Sequence, residues 1–311
     1  MPNEEYLEDV HVSFVIPCLN EEKTIEDCLN SIINLGIENY ELIVVDNGSE
    51  DMSIQKAKKK GAKVLSEPNI RVGEVRNKGA CQASGHLLAF IDADCLVKKE
   101  WVSALNNARL SNDTLVFGGG TNLPDNPTWV EKNWLLESEK GNTLPADLIG
   151  CSIVIKKSTF HKIGGFNANL TSGEDSELSD RLKQLGYTIK ITKDLNVIHL
   201  GNSKTLSDFF KRQFWHGQSY KNLPIKKKIK DPIYILCLIF SISLISSTLT
   251  IWLSYTATLC TLSLGLIVTP TILTIKRYTR SKLYPKSLKD LMKSYVLDLT
   301  YLSARSKSII L

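Results

Sequence analysis

No CxxC pair occurs anywhere in the chain, and its seven cysteines (Cys18, Cys28, Cys81, Cys95, Cys151, Cys237 and Cys260) are scattered and odd in number. That spacing offers no zinc site and fits reduced thiols in a cytosolic setting. No basic stretch followed by an apolar run opens the chain. MPNEEYLEDV is acidic, so no signal peptide is expected there. Neither a GxGxxG nor a Walker A loop is present, which excludes backbone cradling of phosphate as the binding mode. The apolar share of 43% and charged share of 23% are ordinary, so neither disorder nor a coiled coil is expected. At 311 residues the chain is long enough for more than one domain.

One absence organises the C-terminal part. From Pro232 to Ile275 there is no charged residue, a run of 44. A single bilayer crossing takes about 20 residues, so the run suits two. Helices are expected over about 233–253 and 255–275, with a turn near Ser254–Thr258. Lys226, Lys227, Lys228 and Lys230 precede the run, and Lys276, Arg277, Arg280 and Lys282 follow it. By the positive-inside rule both ends then stay in the cytoplasm, as in a hairpin of two spans at a plasma or inner membrane. The frequent Ser and Thr, and Pro270 inside the second helix, leave a hairpin dipping into one leaflet as the other reading. A soluble helical pair would need a polar face that is missing. Residues 283–311 read as a basic amphipathic tail along the headgroups. Residues 276–311 hold nine Lys/Arg against Asp290 and Asp298, a surplus of seven, so the rest of the chain is net −2 within the total of +5. The basic excess thus points to an anionic membrane face, and no nucleic acid partner is expected. The expected division is a catalytic domain over 1–225 and a membrane region with its tail over 226–311.

Residues 10–225 follow another rhythm. Strand-like SFVIPCL, ELIVVD and HLLAFID alternate with helix-like EEKTIEDCLNSIINLG, MSIQKAKKKG and VRNKGACQAS. Such alternation predicts an α/β domain, a mainly parallel sheet with helices on both faces. Ligands of these sheets bind beyond the carboxyl ends of the strands. The first strand ends in Pro17-Cys18-Leu19-Asn20-Glu21-Glu22, the second in Asp46-Asn47-Gly48-Ser49, the next in Asp92-Ala93-Asp94. Any one of these reads as a capped turn. Three on one sheet edge read as a binding site. Asp46 suits a base N–H or a ribose hydroxyl. The D-x-D pair can set two carboxylates near one Mg²⁺ or Mn²⁺ that also holds a substrate's phosphates.

PCLNEEKTI, VVDNGSEDMS, VRNKGACQASGHLLAFIDADCLV, GGFN and SGEDSELSDRL, in this order over about residues 10–220, resemble the family 2 glycosyltransferases with the GT-A fold. The resemblance implies a Rossmann-like mixed sheet followed here by the helical hairpin, and inverting transfer of a sugar from a nucleotide sugar with Mn²⁺ or Mg²⁺. It places Pro17, Asn20 and Glu21 around the nucleotide, Asp46 on the base with Asn47 and Ser49 beside it, and Arg76 and Asn77 along the nucleotide pocket. For Asn77 a helix cap, and for Asn20 a plain turn, are the structural readings. Asp92 falls toward ribose and sugar, Asp94 on the metal.

Downstream, GGG at 118–120 and LPDNPTW mark the less regular stretch where acceptor loops are expected, and LIGCSIVIKKSTFHKIGGFN reads as strand, short helix and turn. In SGEDSELSDRLKQLG, Leu178, Leu182 and Leu185 share a helix face, Gly186 stops it, and Glu174-Asp175 sit in its first turn. Acids there complement the helix dipole. The resemblance makes Asp175 the catalytic base and Glu174 its neighbour at the acceptor. His199 in NVIHLG stands where some such enzymes have a further metal ligand, and a structural histidine is the equal alternative. Processive members carry Gln-x-x-Arg-Trp before their membrane helices. KRQFWHGQS has Arg212, Gln213 and Trp215 without that motif, which favours transfer of a single sugar, with Trp215 and His216 near the acceptor or diphosphate. The hairpin then suggests a lipid-linked or cell-envelope glycan acceptor, and a UDP-, GDP- or dTDP-sugar donor. The other classes compatible with the sequence are a sugar-phosphate nucleotidyltransferase, whose glycine-rich signature is missing, and a non-catalytic membrane scaffold that keeps the nucleotide-binding fold.

Overall fold

The computed structural model describes residues 11–136 and 144–310. The acidic opening MPNEEYLEDV, part of the acceptor-loop stretch (137–143) and the last residue of the tail lie outside them. Packing divides the chain into two compact units, 1–124 with 143–201, and 125–142 with 202–311.

In the first unit the chain runs β1 (Val12–Cys18), α1 (Ile25–Ile33), β2 (Tyr40–Asp46), α2 (Ser53–Lys59), β3 (Lys63–Ser66), α3 (Val72–Gln82), β4 (Leu87–Phe90), β5 (Cys95–Leu96), α4 (Glu100–Leu110), β6 (Leu115–Gly118) and β7 (Thr121–Asn122). It leaves for the second unit with α5 (Trp129–Trp134). It returns as β8 (Ile153–Lys156), α6 (Lys157–Lys162), α7 (Glu174–Gln184), β9 (Thr188–Ile191) and β10 (Val197–His199). Seven strands form one sheet in the order β3-β2-β1-β4-β8-β6-β9. Its β3-β2-β1-β4 half is parallel, and β8 runs antiparallel to both its neighbours. This is the α/β architecture expected from the alternation of apolar runs, with the mixed sheet that the resemblance implies.

The central strands are apolar through their middles, over Phe14–Pro17, Leu42–Val45 and Leu87–Phe90, because both faces are covered. Phe14, Ile16, Leu42, Val44, Leu87 and Ala89 pack into one core with Ile25, Leu29 and Trp101 of α1 and α4. Val15, Ile43, Val45, Leu88 and Phe90 pack into another with Val75 of α3 and Leu178 and Leu182 of α7. Successive side chains of a strand point to opposite faces, so a strand buried twice loses its polar alternation. Gly79 lets α3 lie tight on the sheet: a Cβ there would sit 2.9 Å from Val45 Cγ2 and closer still to Val15. A second, three-stranded sheet, β5-β10-β7, pairs His199 with Cys95.

The second unit holds α5, then α8 (Leu206–Gly217), α9 (Ile225–Lys228), α10 (Pro232–Thr250), α11 (Tyr255–Ser263), α12 (Thr269–Ser281) and α13 (Leu288–Ile310). Two helical stretches, Pro232–Thr250 and Tyr255–Ser281, are long and apolar enough to cross a membrane. Their bounds differ from the expected 233–253 and 255–275. The first stops three residues earlier, and Ser254 caps the next by accepting from Ala257 N at 3.3 Å. The second continues through Lys276, Arg277 and Arg280, because Arg277 is neutralised inside the unit by Asp298 of α13 and need not leave the helix. Pro270 is absorbed by a π-turn over Leu264–Val268, whose wider ring tolerates the missing N–H. The tail is partly an interior helix: Leu297, Leu302 and Ala304 are buried, Leu297, Tyr301 and Leu302 join Val130, Phe209, Cys237 and Phe240 in one core, and Leu288, Met292, Val296 and Ile310 stay exposed. An amphipathic pattern records that one face is covered, not what covers it.

Candidate active site

The carboxyl ends of β1, β2 and β4 lie side by side at one edge of the parallel half-sheet. Asp46 is buried at the end of β2, where it accepts from Gly48 N (3.1 Å) and Ser49 N (3.1 Å). Pro17 sits in β1 opposite Val45. Asn20 takes φ 56°, donates its amide to Ser49 Oγ (2.9 Å) and accepts from Glu50 N (2.9 Å), so the loops after β1 and β2 are stitched together. Glu21 follows, its backbone held by Ser53 Oγ at 2.7 Å. Burial pushes its carboxyl up, and the nearby Asp94 and Asp92 push it further. Three carboxyl groups thus crowd one edge, an electrostatic arrangement that a cation relieves.

Arg76 joins the strand ends to the distant helix α7. Its guanidinium is buried and donates to Asp92 Oδ1 at 2.7 Å and to Glu174 Oε1 at 2.6 Å. Burial opposes its charge, but Asp92 and Glu174 outweigh burial and keep it cationic. Its other face lies 5.6 Å from the centre of the Phe166 ring. Gly150 is needed beneath it, since a Cβ there would stand 2.6 Å from Arg76 Nη2. The same Gly150 donates its N–H to Asp175 Oδ2 at 3.0 Å, and Ser176 N reaches Asp175 Oδ1 at 2.7 Å. Burial raises the Asp175 carboxyl, Glu174 raises it further, and Arg76 only partly offsets them. Asp92, Glu174 and Asp175, 83 positions apart at the extremes, are therefore one cluster.

The two acids of Asp92-Ala93-Asp94 face different ways. Asp92 turns to Arg76. Asp94 turns to His199, with Oδ2 3.6 Å from the imidazole Nδ1, and Cys95 offers a thiol within the same group. Asp94, Cys95 and His199 each present one ligand atom, all within 4.8 Å of one another. Cys95 was not singled out by its sequence; the β5–β10 pairing, invisible in one dimension, brings it there. Burial, with a contribution from Cys151, raises its thiol well above the ordinary range, so it stays protonated.

Two residues expected along the nucleotide are occupied by backbone. Asn77 donates to Phe166 O (2.8 Å) and accepts from Phe166 N (2.9 Å), fastening the Gly-Gly-Phe-Asn turn, and it is not a helix cap. Asn47 does the same to Ile70, at 3.0 Å in both directions. Each holds a wall of the site with both ends of its amide. Trp215 and His216 belong to α8 of the second unit, their rings 4.9 Å apart, and burial together with Arg305 and Arg212 lowers His216 to about 3.

The family model described as "Glycosyl transferase family 2" matches residues 13–164, and that described as "N-terminal domain of galactosyltransferase" matches residues 139–205. Glycosyltransferase AglE of Haloferax volcanii is 26% identical over 222 residues, which cover 67% of this chain and 72% of that protein. The glucosyl-dolichyl phosphate glucuronosyltransferase of the same organism is 23% identical over 255 residues, 72% of this chain and 78% of that protein. Among solved structures, the mannosyltransferase PcManGT of Pyrobaculum calidifontis in complex with GDP-Man and Mn²⁺ superposes with a TM-score of 0.59 at 17% identity, covering 96% of this chain and 86% of that one. GalNAc-T7 with UDP, GalNAc and Mn²⁺ gives 0.51 at 18% identity, with 71% of this chain on about half (52%) of that one. The fold is shared with both. The ordered motifs, the sheet edge they occupy and the matching family model agree: residues 13–164 belong to a family 2 glycosyltransferase domain, and the chain shares the GT-A fold.

Proposed function

We propose that the enzyme transfers a single sugar, with inversion, from a nucleotide sugar to a lipid-linked or cell-envelope glycan acceptor, using Mn²⁺ or Mg²⁺. The observation that carries this reading is Arg76, which draws Asp92 and the Glu174-Asp175 pair to one place, as transfer between a donor and a hydroxyl acceptor requires. Asp46 and the stitched Asn20–Ser49 loops hold the base and ribose. Asp92, anchored by Arg76, presents its second oxygen to the ribose or sugar hydroxyls.

Asp175 is the base. A carboxyl raised by burial and by Glu174 binds a proton more tightly than an ordinary aspartate, which suits it to take the acceptor's hydroxyl proton as that oxygen attacks the anomeric carbon. One carboxylate is enough, because the diphosphate departs from the opposite face without needing a second acid. The donor set fits a hard divalent ion: Asp94 and His199 face each other, and Asp94 and Asp92 crowd the Glu21 carboxyl. The ion would supply positive charge to the departing diphosphate.

The two apolar helices and the basic residues flanking them support a membrane-held enzyme with its catalytic unit on the cytoplasmic side, the reason for preferring a lipid-linked acceptor. PcManGT was solved in complex with GDP-Man, and the Haloferax relative is named a glucosyl-dolichyl phosphate glucuronosyltransferase; both lend support to the classes named here.

The test is a thermal-shift screen of UDP-, GDP- and dTDP-sugars with and without Mn²⁺, since a ligand of the folded state raises Tm by mass action. A metal-dependent rise with one nucleotide sugar, and release of its nucleoside diphosphate on turnover, is expected. Stabilisation by none of them would sink the proposal, and release of pyrophosphate would make the enzyme a nucleotidyltransferase.

A further inference from the structure

At the opposite end of the sheet from the donor edge, the first unit contains a second cavity of about 710 Å³. It opens between the start of β4, the end of β8, the start of α6 and the last turn of α4. About 10 Å of extended chain, the length of β4, separates it from the Asp92 end. Its walls carry Arg109, Lys156, Lys157, Ser158, His86 and His161, all donors or titratable cations, and no carboxylate. The volume falls in the range of small-molecule sites.

The cations are not equivalent. Lys156 is paired with Asp113 at 2.9 Å and donates to Ser111 O at 2.6 Å. Lys157 donates to Ala83 O at 2.6 Å. Arg109, in the last turn of α4, has no such partner among the described residues, and its Nε is buried without any hydrogen bond. A buried guanidinium N–H left without a partner is costly. Of the acids that touch wall residues, Asp113 is paired with Lys156, and Glu41 is already spent on Ser13 Oγ and on the hydroxyl and amide of Ser84, each at 2.6 Å. The cavity therefore offers a guanidinium unpaired among the described residues, two ammonium groups and the Ser158 hydroxyl to an anion.

We propose that this cavity is a binding site for a phosphate monoester, separate from the nucleotide-sugar site, with Arg109 as its principal contact. Guanidinium pairs with phosphate through two parallel N–H···O bonds, and Lys156, Lys157 and Ser158 complete the shell around the remaining oxygens. The room beyond one phosphate leaves space for an organic body. The phosphate can belong to a soluble metabolite or to a lipid headgroup. The site does not depend on the identity of the donor sugar or on the proposed acceptor.

The full chain in detergent and metal-free buffer is titrated with inorganic phosphate, glycerol 3-phosphate and water-soluble short-chain phosphatidate, and Tm is followed. A saturable rise that Arg109→Gln weakens by roughly tenfold, and Arg109→Lys by less, is expected for one lost charge-assisted contact. Because Arg109 makes no internal hydrogen bond, Arg109→Gln should fold with an unchanged circular dichroism spectrum, and donor binding should be unaltered. Stabilisation by phosphate and glycerol 3-phosphate identifies a soluble ligand. Stabilisation by phosphatidate alone identifies a headgroup. No stabilisation by any of the three, or equal stabilisation of wild type and Arg109→Gln, overturns the proposal.

Discussion

Each unit of the molecule buries one arginine against acid, and the two do different work. In the first unit Arg76 faces two carboxylates, Asp92 and Glu174, with a third, Asp175, beside them. The cluster keeps a surplus of negative charge and oxygens that still have lone pairs to give. In the second unit Arg277 faces one carboxylate among the described residues, Asp298, and both partners make further contacts. Its Nη1 reaches Asn133 O at 2.7 Å, Thr274 donates to the second Asp298 oxygen at 2.7 Å, and the guanidinium lies 4.8 Å from the Trp134 ring centre. Asn133 is itself tied to Ser294 at 3.0 Å. Among the described residues, two acids on Arg76 leave carboxylate oxygens free at an open edge, whereas the Arg277–Asp298 pair, with Asn133, Thr274 and Trp134 around it, acts as a pin. The pin joins α5, α12 and α13, which explains how segment 125–136, far away in the chain, becomes part of the helical unit.

That contrast can be broken by mutation. The largest effect expected is on chemistry: Asp175→Asn should lower kcat by about 10³-fold, within the range for loss of a general base, while the donor dissociation constant measured by calorimetry stays within about twofold. A kcat near wild type would remove Asp175 from the role of base and leave the cluster structural. A non-catalytic scaffold would show no turnover in either protein.

Next come the two arginines. Arg76→Met and Arg277→Met each strand a buried carboxylate, and each should destabilise its unit by about 3–5 kcal/mol in denaturant titrations. They should part company at the ligand. Arg76→Met should also abolish donor-dependent stabilisation, because Asp92 loses its anchor, whereas Arg277→Met should leave the donor affinity of the surviving folded protein intact. Equal loss of donor affinity in both would erase the distinction between site and pin.

The smallest effect is on pH. A base must be deprotonated to act, and the Asp175 carboxyl is raised by burial and by Glu174. The acid limb of kcat should therefore lie above the ordinary aspartate pKa of about 3.9, activity appearing as pH rises through the raised value. Glu174→Gln removes the like charge, so the limb should move to lower pH. A limb that stays in place would exclude Glu174 as the neighbour that sets the base.

Particular residues show how far the chain could be read without its structure. The acids at Asp46, Asp92 and Asp94 were visible because each interrupts an apolar run at its end, and parallel strands bring such ends to one edge. Glu174-Asp175 read on their own as a helix start, since acids in a first turn serve the dipole equally well, and only the family resemblance gave them a role. Asn47 and Asn77 stood in motif positions, but their use as clamps on Ile70 and Phe166 depends on loops folded back from 23 and 89 residues away. The charge-free run over 232–275 predicted two long helices. It could not show that the second runs on to Ser281, because the partner that tolerates Arg277 sits 21 residues later on another helix. The tail's amphipathic pattern was legible and its partner was not.

The sequence alone determined the alternation of buried strands and helices, the acidic ends of three of those strands and the apolar hairpin, because each is written in local patterns of burial and charge. Only the tertiary structure decided that one arginine would hold Asp92 and Glu174 together, that β5 would set His199 against Asp94, and that α13 would pack inward. Those outcomes rest on contacts between residues far apart in the chain, where the closest approach is set by packing and hydrogen-bond geometry, which no local pattern encodes.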